Sequence, residues 1–369
     1  GTKNYSLDDK DSIYGNDGNK IYGGKGTDSI VVRHNNYVEG NNDSDGIIAE
    51  DYNRILGGGD NDSIIASEYN TVSGGSSTSI ADGDDGGNDG SPNWHADTAD
   101  TIWGDIGNLI YAGGGADQVT VNYANLVFGG AGNDSVDAKD KDSISGGDGA
   151  DCIKAGEHAY IDAGPNTGTE TDVVDAGFDS KVWGYTGNDS IKVDDTSFVD
   201  GGSGADTILA KDDSTIWGGW DNDSIDASDG NLIYGDDSAN SSLGWDNTTH
   251  GALGNLSRSD YGTAGNDSIH ALNRNTIYGG YGADSIVATD FNIVYGGFDN
   301  DSLDLQKNNT ISGGQGNDTI LASDHNLIYG EENENGTNYT DAAFRSTTND
   351  SIVGGTDNTI YSGYGNDTV

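Results

Sequence analysis

The sequence predicts an all-β fold: a parallel β-solenoid of about 19 coils, each of 17 residues with two short strands. Three observations predict it. A glycine-rich turn ending in aspartate recurs along the chain, as in "GGAGND" at 129–134, "GGDGAD" at 146–151, "GGYGAD" at 279–284 and "GGQGND" at 313–318. The last aspartate of each turn returns at intervals of 17 residues. Between the turns, aliphatic residues alternate with polar ones, the period of a strand with one face buried.

The 17-residue ruler sets out each element in order. Its marks are Asp11, Asp28, Asp45, Asp62 and Ser79; Asp100, Asp117, Asp134 and Asp151; Asp172, Asp189, Asp206 and Asp223; Asp267, Asp284, Asp301 and Asp318; and Asp350 with Asp367. The gaps between these groups are 21, 21, 44 and 32 residues. The unit "DSIVATDFNIVYGGFDND" at 284–301 shows the plan. Ile286 and Ala288 share one face of a first strand, and Val294 lies on the same face of a second. A repeat of two strands and two turns cannot bury its apolar face alone, so coils stack, each pairing with its neighbours. Asparagine stands eight residues after the mark at Asn36, Asn53, Asn70, Asn108, Asn125, Asn231, Asn275, Asn292, Asn309 and Asn326, which predicts a stacked amide ladder. Eleven residues after the mark an outward aromatic recurs: Tyr22, Tyr111, Phe128, Trp183, Trp217, Tyr234, Tyr278, Tyr295, Tyr329 and Tyr361. It is open whether that stripe is a stacking ladder, a lateral contact, a platform for a loop or a sugar-binding face. The spacing breaks predict loops inserted on the glycine edge, at about 83–99, 163–171, 235–265 and 331–349, in a single continuous solenoid over 1–369. The loops carry Trp94, His95, Trp245, His250 and Phe344, and three acceptor sequons for N-linked sugar at 247–249, 335–337 and 338–340.

Composition bounds the chemistry. Of 369 residues, 63 are acidic and 16 basic, giving a formal net charge of -47. That balance excludes nucleic acid and anionic membranes as partners, since both need basic patches. It calls for a cation, and aspartate oxygens suit calcium. One cysteine, Cys152, rules out an internal disulfide framework, and no apolar run reaches the ~18 residues of a membrane span. The six histidines are scattered and carboxylates are everywhere, so no catalytic constellation stands out and the reading is a non-enzyme.

The stretch "GGYGADSIV" at 279–287 resembles the nonapeptide of the RTX, or haemolysin-type, calcium-binding repeats, Gly-Gly-x-Gly-x-Asp-x-apolar-x. The six-residue turn is complete at 23–28, 129–134, 146–151, 201–206, 279–284 and 313–318. The resemblance implies a parallel β-roll in which turn carbonyls and aspartate carboxylates hold Ca2+ between successive coils. It nominates Gly23, Gly24, Gly26 and Asp28; Gly57 and Asp62; Asp117; Gly129, Gly132 and Asp134; Gly146, Gly149 and Asp151; Asp189; Gly201, Gly204 and Asp206; Asp223; Asp267; Gly279, Gly282 and Asp284; Asp301; Gly313, Gly316 and Asp318; and Asp367. Asp60, Asp221 and Asp299 replace the third glycine, either as extra ligands or because aspartate tolerates a left-handed backbone. The chain departs from the family in its second half-coil, one residue shorter and turning through "ASDGN" at 227–231 or "ASDHN" at 322–326. There the acidic slot holds Asp51, Glu68, Asp140, Asp212, Asp229, Asp290 or Asp324, but also His34, Tyr123 and Lys307. One calcium row, on the glycine edge, is therefore expected, with solvated polar turns opposite.

Such thin coils bury little apolar surface, and their like charges repel, so the chain is expected to be largely unfolded without Ca2+. Weak extracellular-type calcium sites and the resemblance imply a secreted, cell-surface, bacterial protein. The absent methionine points to a processed chain or an excerpt, and "GYGNDTV" at the end suggests a coil cut open without a cap. Two functions are carried forward. One is a structural protein whose copies stack end to end into a filament or surface layer. The other is an adhesin or glycan-binding segment of a longer RTX-like surface protein.

Overall fold

The computed structural model describes residues 10–75, 99–164, 170–236, 265–331 and 348–369. Trp94, His95, Trp245, His250, Phe344, Ser79 and the three sequons lie outside them. The chain forms two compact units, Gly1–Tyr185 and Thr186–Val369. Each is an all-β parallel solenoid without a helix among the described residues.

In the first unit, Ser12–Gly15 pairs in parallel with Ser29–Val32, which pairs with Gly46–Ala49, and so on to Val173–Ala176. A second sheet grows the same way from Lys20–Gly24 through Tyr37–Asn41 to Lys181–Trp183. The second unit repeats the plan, with Ser285–Ala288 paired to Ser302–Leu305 in one sheet and Ile293–Phe298 to Thr310–Gln315 in the other. In all of these pairings, a residue faces its equivalent in the next coil.

The inward face is as the alternation requires. Ile30, Ile47, Ile64 and Ile286 on first strands and Val38, Ile55, Val72 and Val294 on second strands are fully buried. Small residues such as Ala49, Ala66 and Ala288 fill the narrow space behind them.

The described residues contain 34 strands, hence seventeen two-strand coils rather than nineteen. Two marks account for the difference. The ladder passes Ser79 by: Ser63 pairs directly with Thr101, and Asp62 N–H donates to Asp100 Oδ1 at 2.6 Å. At Asp367 only a single bridge forms, between Ser351 and Thr368. Ser79 and, apart from residue 99, the insertion expected at about 83–99 lie in residues 76–98, outside the described residues. All four undescribed internal segments fall between a second strand and the next mark, so the insertions leave from the glycine edge as expected.

The opposite edge is held by the asparagine ladder. Asn275 N–H donates to Asn292 Oδ1 at 2.8 Å, and Asn292 N–H to Asn309 Oδ1 at 2.7 Å. Most amide nitrogens of the ladder donate in turn, as Asn292 Nδ2 does to Leu272 O at 2.9 Å, while Asn231 Nδ2 has no partner. Asp142, Ser180 and Ser214 take over as acceptors where asparagine is missing. The residue just before this position is left-handed throughout, for example Tyr52, Lys141 and Phe291 at φ 58°, 63° and 63°. That conformation costs a non-glycine residue ~1–2 kcal/mol, and the ladder bonds offset it.

Replacing Asn292 with alanine strands the buried Asn275 N–H, at a cost of ~1–3 kcal/mol. We expect a lower urea midpoint for Asn292→Ala in saturating Ca2+, with partial recovery in Asn292→Ser; an unchanged midpoint contradicts the ladder's role.

Candidate functional site: a buried carboxylate row on the glycine edge

The first strand of every coil begins just after a mark aspartate, and the backbone there is fixed by pairing. That places one aspartate per coil, in register, at the glycine edge. These side chains are buried: Asp28, Asp134, Asp206, Asp284 and Asp318 are each 1–2% exposed. One oxygen is used within the row. Asp28 N–H donates to Asp45 Oδ1, Asp134 N–H to Asp151 Oδ1, Asp206 N–H to Asp223 Oδ1 and Asp301 N–H to Asp318 Oδ1, at 2.8–3.0 Å. The same bond links Asp117 to Asp134 and Asp189 to Asp206.

The other oxygen is the telling one. Oδ2 of Asp28, Asp45, Asp134, Asp151, Asp206, Asp223, Asp267, Asp284, Asp301, Asp318 and Asp350 is buried without a hydrogen-bond partner. An unpaired buried carboxylate oxygen needs a counter-charge or a proton. Beside it stands another acceptor. A Cβ built on Gly23 would stand 2.6 Å from Asp28 Oδ2 and 2.7 Å from Gly40 O, a carbonyl of the next coil. Other first glycines repeat this: Gly57 faces Asp62 Oδ2 and Gly74 O, Gly129 faces Asp134 Oδ2 and Gly146 O, and Gly146 faces Asp151 Oδ2 and Ala163 O. Gly201, Gly279 and Gly313 do likewise with Asp206, Asp284 and Asp318. The bare face of the glycine is thus a cradle into which a carboxylate oxygen and a carbonyl oxygen converge.

The later glycines shape the turn. Gly24 and the third-position Gly26, Gly132, Gly149, Gly204, Gly282 and Gly316 have φ between 100° and 148°. Asp60, Asp221 and Asp299 occupy the third place at φ 67°, 74° and 73°, so aspartate does adopt the left-handed backbone there. Asp299 also bears on the row electrostatically, raising its neighbours Asp284 and Asp301.

Burial, partly offset by the donated N–H and reinforced by neighbouring carboxylates, pushes the row's pKa values up. Asp134 rises to about 6, Asp45 and Asp318 to about 7, Asp151, Asp206 and Asp284 to about 8, and Asp223 and Asp301 to about 9. A site of two convergent oxygens that resists ionisation in isolation fits a hard cation, which would satisfy both oxygens and hold the carboxylate charged. Among the described residues no three His, Cys, Asp or Glu side chains form a ready-made metal cluster. Beside the one mark carboxylate per coil, main-chain carbonyls such as Gly40 O are the oxygens at hand.

Sequence reasoning nominated most of this row and omitted Asp45, Asp100, Asp172 and Asp350, with first glycines Gly40, Gly74, Gly218, Gly235, Gly296 and Gly330. Their turns are imperfect, but the 17-residue ruler marks every one of those aspartates. Asp367 accepts from Asp350 N–H at 3.1 Å and is only half-buried, so the last mark is not enclosed as the others are.

The opposite turn has its own ladder, running the other way: Lys307 N–H donates to Asp290 Oδ1 at 2.9 Å and Asp229 N–H to Asp212 Oδ1 at 3.1 Å. These carboxylates are satisfied by backbone, and Lys307 Nζ lies 3.5 Å from Asp324 in a solvated turn.

The raised values fix the sign of the pH dependence without calcium. The folded row keeps its protons up to pH 6–9, whereas the unfolded chain loses them near 3.8. Stability is therefore fullest at acid pH and falls as pH rises through that window. In EGTA we expect more strand signal by circular dichroism at pH 5 than at pH 9, and the reverse trend in calcium affinity. A strand signal without Ca2+ that is flat or rises with pH contradicts this. We also expect Asp284→Asn to weaken Ca2+ uptake while stabilising the calcium-free fold, because an amide can donate to the facing carbonyl; destabilisation in EGTA would contradict the cradle.

A family model described as the RTX calcium-binding nonapeptide repeat (4 copies) matches residues 121–140, 138–157, 200–231, 261–292, 305–332 and 346–369. No curated protein and no solved structure matches the chain. The turns at 23–28 and 57–62 lie outside the matched residues, yet present the same aspartate–glycine cradle. Repeats of this kind bind Ca2+ in a row, and Ca2+ is the ion that suits the oxygen cradles seen here. The chain carries RTX calcium-binding nonapeptide repeats, folded as a parallel β-solenoid.

Proposed function

We propose that this protein is a calcium-stabilised structural element outside the cell, and that its coils stack against coils of further copies to build a filament or surface layer. The Ca2+ ions would sit along the glycine edge, between Asp Oδ2 of one coil and the glycine carbonyls of the next. Coils whose folding waits for such an ion would order only where calcium is plentiful, as it is outside cells.

The observation that carries the reading is the uniformity of the pairing. Among the described residues, coil after coil offers its neighbour the same strand register and the same aspartate row, with asparagine, aspartate or serine capping most of the opposite edge. Among the described residues, the second strand Thr359–Tyr361 pairs on one side only, with Leu327–Tyr329. A further coil, from this or another chain, would find donors and acceptors waiting there.

The outer aromatic stripe bears on the glycan-binding alternative. Its rings stack on one another: Tyr234 on Tyr278 at 5.0 Å and 7°, and Tyr278 on Tyr295 at 4.9 Å and 8°. Their faces are consumed in that ladder, whereas a sugar platform needs exposed faces.

Electron microscopy and sedimentation in millimolar Ca2+ test the proposal. Long assemblies that disperse on adding EGTA are expected. Discrete particles at all concentrations contradict end-to-end assembly and favour a segment of a longer adhesin.

A further inference from the structure

Two turns of the second unit break the glycine pattern in the same way. The second glycine is replaced by an acid, Asp236 after Gly235 and Glu331 after Gly330. In each case the acid is the last described residue before the chain resumes, at 265 and at 348. In a regular turn this residue's carbonyl accepts an N–H from the next coil, as Gly24 O does from Asn42 at 3.2 Å. Here the side chain takes that place. Asp236 Oδ1 accepts from Gly265 N–H at 3.1 Å and its Oδ2 from Tyr281 N–H. Glu331 Oε2 accepts from Tyr364 N–H at 2.6 Å.

Backbone donors thereby fix both carboxylates at the second-glycine place of the turn, one residue along from the row's cradles. A Cβ on Gly280 would meet Asp236 Oδ2 at 2.5 Å, and one on Gly363 would meet Glu331 Oε2 at 3.0 Å. Gly235, the residue before Asp236, faces Asp267 Oδ2 and Gly279 O. Gly330, the residue before Glu331, faces Asp350 Oδ2 and Ser362 O. The unpartnered Oδ2 atoms of Asp223, Asp267, Asp284, Asp318 and Asp350 belong to residues 1–2% exposed. Glu331 Oε1 is also buried and without a hydrogen-bond partner. At the two insertions of the first unit the described chain stops at Gly75 and Gly164, which bring no such charge.

We propose that Asp236 and Glu331 each add one carboxylate to a cation site beside an insertion, so that these two sites bind first and most tightly in the row. Affinity at oxygen sites rises with ligand charge and rigidity, and each acid is held by backbone donors of the following coil. The extra charge also favours a trivalent ion over Ca2+ more strongly here than elsewhere in the row. The inference rests on the calcium row proposed above.

A Tb3+ titration of the full chain tests it, reading emission sensitised by nearby aromatics such as Tyr281 and Tyr364. Wild-type protein should take up a tight first class of ions ahead of the rest. Asp236→Asn and Glu331→Gln should each remove part of that class, and the double variant all of it, with the later uptake and the strand signal in saturating Ca2+ unchanged. Variants that keep the full tight class overturn the proposal, even if they are less stable. Should a variant fail to fold, wild-type crystals soaked in sub-saturating Tb3+ decide: anomalous peaks at the two stems support it, and uniform peaks along the row overturn it. A wild-type chain that takes up no Tb3+ and no Ca2+ overturns the row itself.

Discussion

The structure depends on one juxtaposition, a buried aspartate Oδ2 facing a glycine carbonyl oxygen of the neighbouring coil. Two acceptors cannot share that space without a proton or a cation between them. Repeated along most of the row, though Ala112, Ala163 and Ser362 stand in for the first glycine, the conflict makes stacking conditional. Backbone pairing and the aliphatic stripe bring the coils together, and the ion removes the repulsion that pairing creates.

The two edges of the solenoid show the same device with opposite chemistry. On one edge asparagine Oδ1 caps the previous coil's N–H, and Nδ2 donates to a carbonyl, so the amide is self-sufficient. On the other, aspartate Oδ1 makes the same cap, but Oδ2 has nothing to give. Asp142, standing in the asparagine row, marks the difference: Asn125 N–H and Nδ2 both donate to its Oδ1, and Lys139 N–H to its Oδ2 at 3.0 Å. A carboxylate there finds backbone donors and needs no ion. The glycine edge, where the missing Cβ opens space lined by carbonyls, is where calcium belongs.

Much of this was legible in the sequence because the repeat leaves few choices. Spacing of 17 residues gave the register, and alternation around Ile286 and Val294 gave the inward face. Reading failed where a ruler cannot see a detour. Ser79 fell in phase with its neighbours, yet the ladder crosses from Asp62 straight to Asp100, because nothing in a spacing tells a coil from a loop of equal length. The left-handed residues Tyr52, Lys141 and Phe291 gave no signal either, since ladder bonds rather than side-chain preference hold them there. Asp236 and Glu331 fall at the starts of the insertions the spacing predicts at about 235–265 and 331–349, and only the backbone shows their carboxylates over Gly280 and Gly363.

The most direct test is anomalous diffraction from crystals grown in Ca2+. A single line of ions along the glycine edge, ~4.8 Å from one to the next and each between an aspartate Oδ2 and a first-glycine carbonyl, is the predicted result. An ion-free glycine edge with ordered, unprotonated aspartates, or ions lining the asparagine edge instead, would contradict the account.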